Sequence, residues 1–314
     1  MQVSSNIWHD IRHIDVLLFD QFSNHCLANT VEPLRATNAL AGRDLYQWQF
    51  CTLDGAPVAS SSGMQVAPHV SLADATGDTL CVMPSYGIRA LDQWTVVRAL
   101  RRVADRYGVI AGFDTGPWLL ARAGLLDGRR ATIHWDELTA FAEAFPDIDV
   151  QRERFVLDGP RITCSGAMAA FDLVTHLIGM AHGPLLATDV AHLFMSTDRT
   201  PAQGPAVGRP GRMVARALNV MQAHLEQPVS IPDIARRIGC TQKTLESRMR
   251  EAMQATPQAV YHRLRLNRAY QLVIETDQPV SEIAGRCGYD NASAMTRAFR
   301  TAFHATPTQV RRRQ

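Results

Sequence analysis

Residues 227–257 read QPVSIPDIARRIGCTQKTLESRMREAMQATP, and residues 278–307 read QPVSEIAGRCGYDNASAMTRAFRTAFHATP. Gln-Pro-Val-Ser returns after 51 residues and Ala-Thr-Pro after 50, so one supersecondary unit is used twice. In the first copy Ser230 is placed to cap a helix, with Asp233 three residues on to return the capping-box bond. Ile234, Ala235 and Ile238 form the inner face of that helix. Gly239 supplies the left-handed residue a sharp exit needs, and Thr241 can cap a second helix over 242–251 that buries Leu245 and Met249. The second copy offers Ser281 as cap, Ile283 and Ala284 inside, Gly288 at the turn, and a helix over 292–303 burying Met295 and Phe299. Helix, tight glycine turn, helix is a helix-turn-helix, and two stand in tandem.

The use of such a unit lies in its second helix, which can enter the major groove, where each base pair shows a distinct donor and acceptor pattern. The outward residues expected to contact DNA are Gln242, Lys243, Glu246, Ser247 and Arg250 on the first such helix, and Asn291, Ser293, Thr296 and Arg297 on the second. PQAVYHRLRLNRAYQLVIET (257–276) reads as a continuous helix between them. It can hold the reading helices about one duplex turn, ~34 Å, apart. Arg263, Arg265, Arg268 and the terminal Arg311, Arg312 and Arg313 are expected to meet phosphates, which adds affinity without sequence information.

Charge follows the same division. Residues 211–314 hold 16 Lys and Arg against 8 Asp and Glu, a balance of +8, whereas residues 1–210 hold 16 Arg against 22 acidic side chains, a balance of −6. The 314-residue chain, 46% hydrophobic and 20% charged, has the composition of a globular protein with two cores. No apolar run approaches the ~20 residues a bilayer span requires, and the polar N-terminus does not read as a signal segment. Six separated cysteines, without a CxxC, read as reduced core thiols; a cytoplasmic location is expected.

DRTPAQGPAVGRPG (198–211) reads as a Pro/Gly-rich linker between a front domain, 1–197, and the DNA-binding tail, 212–314. In front of it, apolar runs IDVLLF from Ile14, WQFCTL from Trp48, TLCVMP from Thr79 and VIAGFD from Val109 alternate with helical patterns near 27–41, 89–107, 117–125 and 135–145. A further strand group, 150–157 and 161–164, precedes a helical stretch over 167–182. Buried strands separated by helices imply a doubly wound α/β sheet.

The stretch PVSEIAGRCGYDNASAMTRAFRTAFHATPTQVRRR resembles the C-terminal signature of the AraC/XylS transcription regulators in its Ile-Ala, Cys-Gly-Tyr, Arg-Ala-Phe-Arg and Thr-Pro elements. The resemblance covers 212–314 and implies a seven-helix, all-α double helix-turn-helix domain that binds a promoter and activates transcription in a bacterial cell. Ala292 and Ala294 stand where relatives often carry larger polar side chains, which implies weaker base reading by the second half.

GFDTGPWLLARAGLLDGRRATIHW (112–135) resembles the strand-turn-helix of the class I glutamine amidotransferase-like superfamily, PfpI branch, and so implies a flavodoxin-like front domain. In that superfamily a cysteine occupies a strained elbow at a helix start, where its thiolate is stabilised. Here Asp114 stands at that place, His134 matches the partner histidine, and Cys26 matches the supporting acid. Two of three catalytic positions depart, so no catalytic residue is assigned. The rival reading, an enzyme of the PfpI or isonitrile hydratase type with a DNA-binding tail, is disfavoured. Glu32-Pro33-Leu34-Arg35 and the Asp-Thr-Gly elbow place the chain near regulators that respond to glycine betaine, carnitine or arginine. The old active-site pocket is then expected to bind a zwitterionic or cationic amine effector. Asp114 supplies negative charge, while Trp118, Trp135 and Phe113 can offer ring faces. Thr115 and the amides after it can receive an anionic end. The group also implies a homodimer and contact with RNA polymerase. A carboxylate at a helix start can alternatively be a simple cap. His9 and His13 lack a third ligand for a metal, and no phosphate-binding loop pairs with Lys243, the chain's single lysine; neither metal nor cofactor is expected.

Overall fold

The computed structural model describes residues 12–194 and 211–312. The expected linker, apart from Gly211, lies outside the described residues, as do His9 and Arg313. The chain divides into two compact units. One is built on the segment ending at Arg35 and on Asp44–Ala181; the other takes in Ala36–Arg43, the segment from His182 and the C-terminal helices.

Strands of the first unit are β1 (His13–Leu18), β2 (Gln47–Thr52), β3 (Val58–Ala59), β4 (Gln65–Val66), β5 (Val70–Ser71), β6 (Thr79–Met83), β7 (Val109–Phe113), β8 (Arg130–Ala131), β9 (Asp149–Val150), β10 (Phe155–Asp158) and β11 (Arg161–Cys164). Its helices are α1 (Asn24–Ala41), α2 (Ile88–Leu91), α3 (Trp94–Val103), α4 (Gly116–Arg122), α5 (Leu138–Ala144) and α6 (Ala167–His182). Seven strands form one sheet in the order β10-β11-β7-β6-β1-β2-β5. Every neighbouring pair is parallel except β10 with β11.

Both faces of this sheet are covered, so its central strands are buried along their length and mostly apolar rather than alternating. Leu17, Leu80, Val82 and Ile110 pack with Val97 and Leu100 of α3 and Leu119 and Leu120 of α4. Their sequence neighbours Ile14, Thr79, Cys81, Ala111 and Phe113 face the other way, lining a cavity of about 50 Å³ with Leu34 of α1 and Leu173 and Ile178 of α6. At the start of β1 one carboxylate is deeply buried. Asp15 Oδ2 accepts from Gly77 N and Tyr107 OH, each at 2.7 Å, and Oδ1 accepts from Gln49 Nε2 at 2.7 Å.

Helices of the second unit are α7 (Pro184–Leu193), α8 (Arg212–Ala223), α9 (Ile231–Ile238), α10 (Gln242–Met253), α11 (Pro257–Glu275), α12 (Val280–Arg286), α13 (Ala292–Phe303) and α14 (Pro307–Arg311). Val214, Leu218 and Met221 of α8 close a core with Ile234 and Ile238 of α9, Leu245 and Met249 of α10, and Val260 and Leu264 of α11. In the second half the rings of Tyr270, Phe299 and Phe303 pack together, with centroids 4.6 to 5.9 Å apart. Helix α7, which falls within the front segment 1–197 as read from sequence, packs with these helices. Its Asp189 is buried against Arg263 and Asn267 of α11.

One expected cap is displaced. Ser230 caps α9, but α12 begins after Pro279, which makes no side-chain cap bond, and Ser281 lies inside the first turn. Pro232 explains the difference: without an N–H it is tolerated only in a helix's first turn, so α9 must start at Ile231. No proline follows in the second copy, and α12 starts two residues earlier in the repeat. Among the described residues no helix is long and apolar enough to cross a membrane.

Candidate nucleic-acid interface and effector site

The two reading helices are fixed from within. Gly239 at φ 79° ends α9 by donating its N–H to the carbonyls of Ala235 and Arg236, and the Thr241 hydroxyl accepts from Thr244 N to start α10. Leu245, Met249 and Met253 repeat every fourth residue on the buried face. The opposite face exposes Gln242, Lys243, Ser247 and Arg250, with Glu246 half-buried and its Oε1 accepting from Gln242 Nε2 at 2.8 Å. In α13, Met295, Phe299 and Phe303 are buried in the same period, Ser293 and Arg297 are exposed, and Thr296 is half-buried. Asn291 is the N-cap, its Oδ1 accepting from Ala294 N at 2.8 Å, which leaves only its amide NH₂ for another partner. Among the described residues Lys243, Arg250 and Arg297 have no ion-pair partner. Arg300, exposed one turn beyond Thr296, extends this face and was available from the i, i+4 spacing.

Three arginines read as phosphate ligands are instead spent inside the unit. Arg263 Nε donates to Asp189 Oδ2 at 2.7 Å. Arg265 Nε and Nη2 donate to the carbonyls of Cys287 and Gly288 at 2.7 and 2.5 Å, and its guanidinium lies 4.3 Å from the Tyr289 ring centre. Arg311 donates to the carbonyls of Val273 and Gln278. Turn carbonyls cut off from water need donors, and a planar fork reaches two at once. Arg268 contacts Gln271 at 3.4 Å, and Arg312 is exposed.

In the front unit the chain leaves β7 through Asp114 at φ 59°, a left-handed conformation rare for a residue with a side chain. The turn is close-packed. A Cβ on Gly116 would run into the Val82 carbonyl of β6, and one on Gly112 would lie 2.8 Å from Pro117 N. Asp114 N donates to the Cys164 carbonyl and His134 N donates to the Asp114 carbonyl, both at 3.0 Å. The carboxylate does not cap α4; its Oδ2 accepts from Ser85 Oγ at 2.9 Å. Thr115, at the N-cap position, turns its hydroxyl to the Ser85 carbonyl at 2.8 Å. Pro117 contributes no N–H, so the anion cradle expected after Thr115 is short of a donor.

Asp114 is 7% exposed, and burial holds its carboxyl above the usual range against the opposing Ser85 hydrogen bond and the His134 ring. Burial, then Cys164 and Asp114, push the Cys26 thiol well up, so it stays protonated beside the carboxylate. The Ser85 hydroxyl and the left-handed turn hold the carboxylate in one place. What the arrangement can do is bind.

Asp114, Thr115, His134 and Cys26 thus converge. Trp135, 70% exposed, stands beside the His134 ring at 5.6 Å. Trp118 does not join them: Arg89 lies 3.5 Å over its ring, Phe145 packs on it, and its Nε1 donates to Asp92. Phe113 is buried in the cavity wall on the α1/α6 face. Sequence reasoning passed over Tyr86, 64% exposed and next in the chain to Ser85; an exposed aromatic side chain without core periodicity was the available signal. Among the described residues no three His, Cys, Asp or Glu side chains are grouped to hold a metal ion.

Residues 12–180 match the DJ-1/PfpI family and residues 234–313 match a helix-turn-helix domain. The HTH-type transcriptional regulator CdhR of Pseudomonas aeruginosa is 39% identical over 94% of this chain and 90% of its own. The HTH-type transcriptional regulator GbdR of the same species is 33% identical over 96% and 84%. A crystal structure of an AraC family transcriptional regulator from Pseudomonas putida superposes with a TM-score of 0.51 at 25% identity, covering 58% of this chain and 99% of that one. These relatives spanning nearly the full length are regulators, not enzymes. Mostly parallel sheet in front, tandem helix-turn-helix behind and full-length similarity agree: the chain belongs to the AraC-type DNA-binding transcriptional regulators that carry an N-terminal DJ-1/PfpI domain.

Proposed function

We propose that this regulator reads promoter DNA with the exposed faces of α10 and α13 and responds to a small zwitterionic or cationic amine, such as a betaine, carnitine or a basic amino acid, bound at the Asp114 elbow. The working form is a cytoplasmic homodimer that engages RNA polymerase as an activator, its sensing and DNA-binding parts joined across 198–211. The observation that carries the effector reading is the elbow itself. A strained turn keeps a buried carboxylate where chemistry would need a thiolate, and Tyr86 and Trp135 stand exposed next in the chain to Ser85 and His134, which bond to Asp114. A carboxylate with aromatic faces nearby is suited to an ammonium group. The effector acts through unequal affinity for two states of the protein.

Lys243→Ala and Arg297→Ala should each weaken binding to a specific operator by about 1–3 kcal/mol if they touch bases; an equal loss on random duplex, read by fluorescence anisotropy, would make them phosphate contacts.

Asp114→Asn carries two readouts. Because burial raises the Asp114 carboxyl, the folded unit favours its protonated form. That stabilisation is complete below the ordinary carboxylate range and is lost as pH rises through the raised value. Asparagine tolerates a positive φ and can still accept from Ser85. The variant should therefore melt higher than the wild type at neutral pH, with a gain that shrinks on acidification. Its half-saturating concentration for a cationic amine should rise about tenfold or more, matching loss of a charge-assisted contact. An unchanged dose response would remove the charge argument.

A further inference from the structure

Helix α7 is a short segment that the sequence assigns to neither helix-turn-helix, yet it touches the end of one reading helix directly and the end of the other through a side chain of α11. Leu185 packs against the core of the first half. The Thr188 hydroxyl lies 3.9 Å from the sulfur of Met253, the last residue of α10. One residue on, Asp189 accepts from Arg263 Nε at 2.7 Å and from Asn267 Nδ2 at 2.6 Å, both on α11. Arg263 carries the contact onward: its guanidinium carbon stands 4.9 Å from the centre of the Phe303 ring, the last residue of α13.

A single connecting helix fixes the distance between two domains along its axis but resists poorly their rotation about that axis. Helix α7 adds a further brace, meeting the closing residue of α10 directly and gripping α11 through Arg263, the side chain that lies against the closing residue of α13. The grip is polar where a simple packing surface would be apolar. Asp189 is 2% exposed, and Asn267 Oδ1 is buried with no hydrogen-bond partner. An arrangement that broke this pair would leave a buried charge unmet, so the one that keeps it is favoured over its neighbours.

We propose that α7 is a strut of the DNA-binding unit and that Asp189 is a positioning residue that sets the mutual placement of α10 and α13, and with it the spacing between the two base-pair boxes the protein accepts. The inference rests on both helices entering DNA. Loss of the strut leaves each helix able to read its own box while letting the pair adapt to boxes set closer or farther apart.

The test uses the full-length chain and the duplex it selects from a random-sequence pool. Binding is measured on that duplex, on versions with one or two base pairs inserted or removed between the boxes, and on each box alone. The wild type should lose tenfold or more in affinity when the spacing changes. Asp189→Asn should lose less than threefold, with single-box affinity unchanged, and Asp189→Glu should restore the wild-type pattern. Thr188→Val, which leaves the ion pair intact, is the second variant should Asp189→Asn fold poorly, and should relax the spacing in the same direction. Wild-type spacing dependence in folded Asp189→Asn or Thr188→Val overturns the strut. Selection of a single box by the wild type overturns the two-helix reading beneath it.

Discussion

Gly288→Ala should cost the C-terminal unit about 2–5 kcal/mol, enough to unfold many domains of this size, whereas Gly239→Ala, at the corresponding turn of the first repeat, should cost only about 1–2 kcal/mol. Both glycines are left-handed, at φ 69° and 79°, so the conformational penalty is shared. Space separates them. A Cβ on Gly239 would meet nothing within 4 Å, while one on Gly288 would lie 2.6 Å from the Leu225 carbonyl oxygen and 2.5 Å from Pro228 Cγ. Leu225 and Pro228 follow α8 and lead into the first helix-turn-helix, so the second turn is pressed against the first repeat through a gap only glycine fits. Overpacking of a fixed backbone adds about 1–3 kcal/mol. Thermal melts of the two variants would read the contrast directly, and equal losses would show that the approach at Gly288 is not close.

Asp15→Ala is expected to be the most damaging substitution in the front unit, at about 3–5 kcal/mol, since removing one partner of a buried charge-assisted network leaves the rest desolvated and unmet. Three donors converge on this carboxylate, from the backbone of Gly77, the Tyr107 phenol and the Gln49 amide. They join the start of β1 to β2 and to the chain entering β6 and β7. Burial, then the bond to Asp15, drives the Tyr107 phenol upward, so it remains a donor across the physiological range. Tyr107→Phe removes one donor and should cost about 1 kcal/mol. A drop in Tm for Asp15→Ala no larger than that for Tyr107→Phe would mean water replaces the carboxylate.

Much of this architecture was legible because it is local. Mostly apolar, non-alternating runs at β1, β6 and β7 announce strands covered on both faces. In the tail, Ser230, Gly239 and Thr241 sit where helix ends demand a hydroxyl or a left-handed residue. The repeat also announced the second turn at Gly288. What stayed hidden depends on partners distant in sequence. Arg263, Arg265 and Arg311 look solvent-facing on any helical wheel, and only the folded chain brings Asp189 and the turn carbonyls to them. Trp118 is adjacent in sequence to the elbow but turns away beneath Arg89. Conversely, Ser85 reaches the elbow from another segment and carries the exposed Tyr86 next to it in the chain. The Asp114 elbow was legible as a motif; that its carboxylate goes to Ser85 rather than to the helix was not.

The most direct test of the account is a competition at fixed salt. The full-length protein is bound to the duplex it selects from its own chromosome and challenged with scrambled duplex, in the absence and presence of betaine, carnitine, choline and arginine. The account predicts at least about a thousandfold preference for the selected duplex, as specific readers of base edges display, with occupancy shifted by one of the amines in the wild type and, in Asp114→Asn, only at about tenfold or more higher amine concentration. Equal affinity for both duplexes under every condition would contradict it.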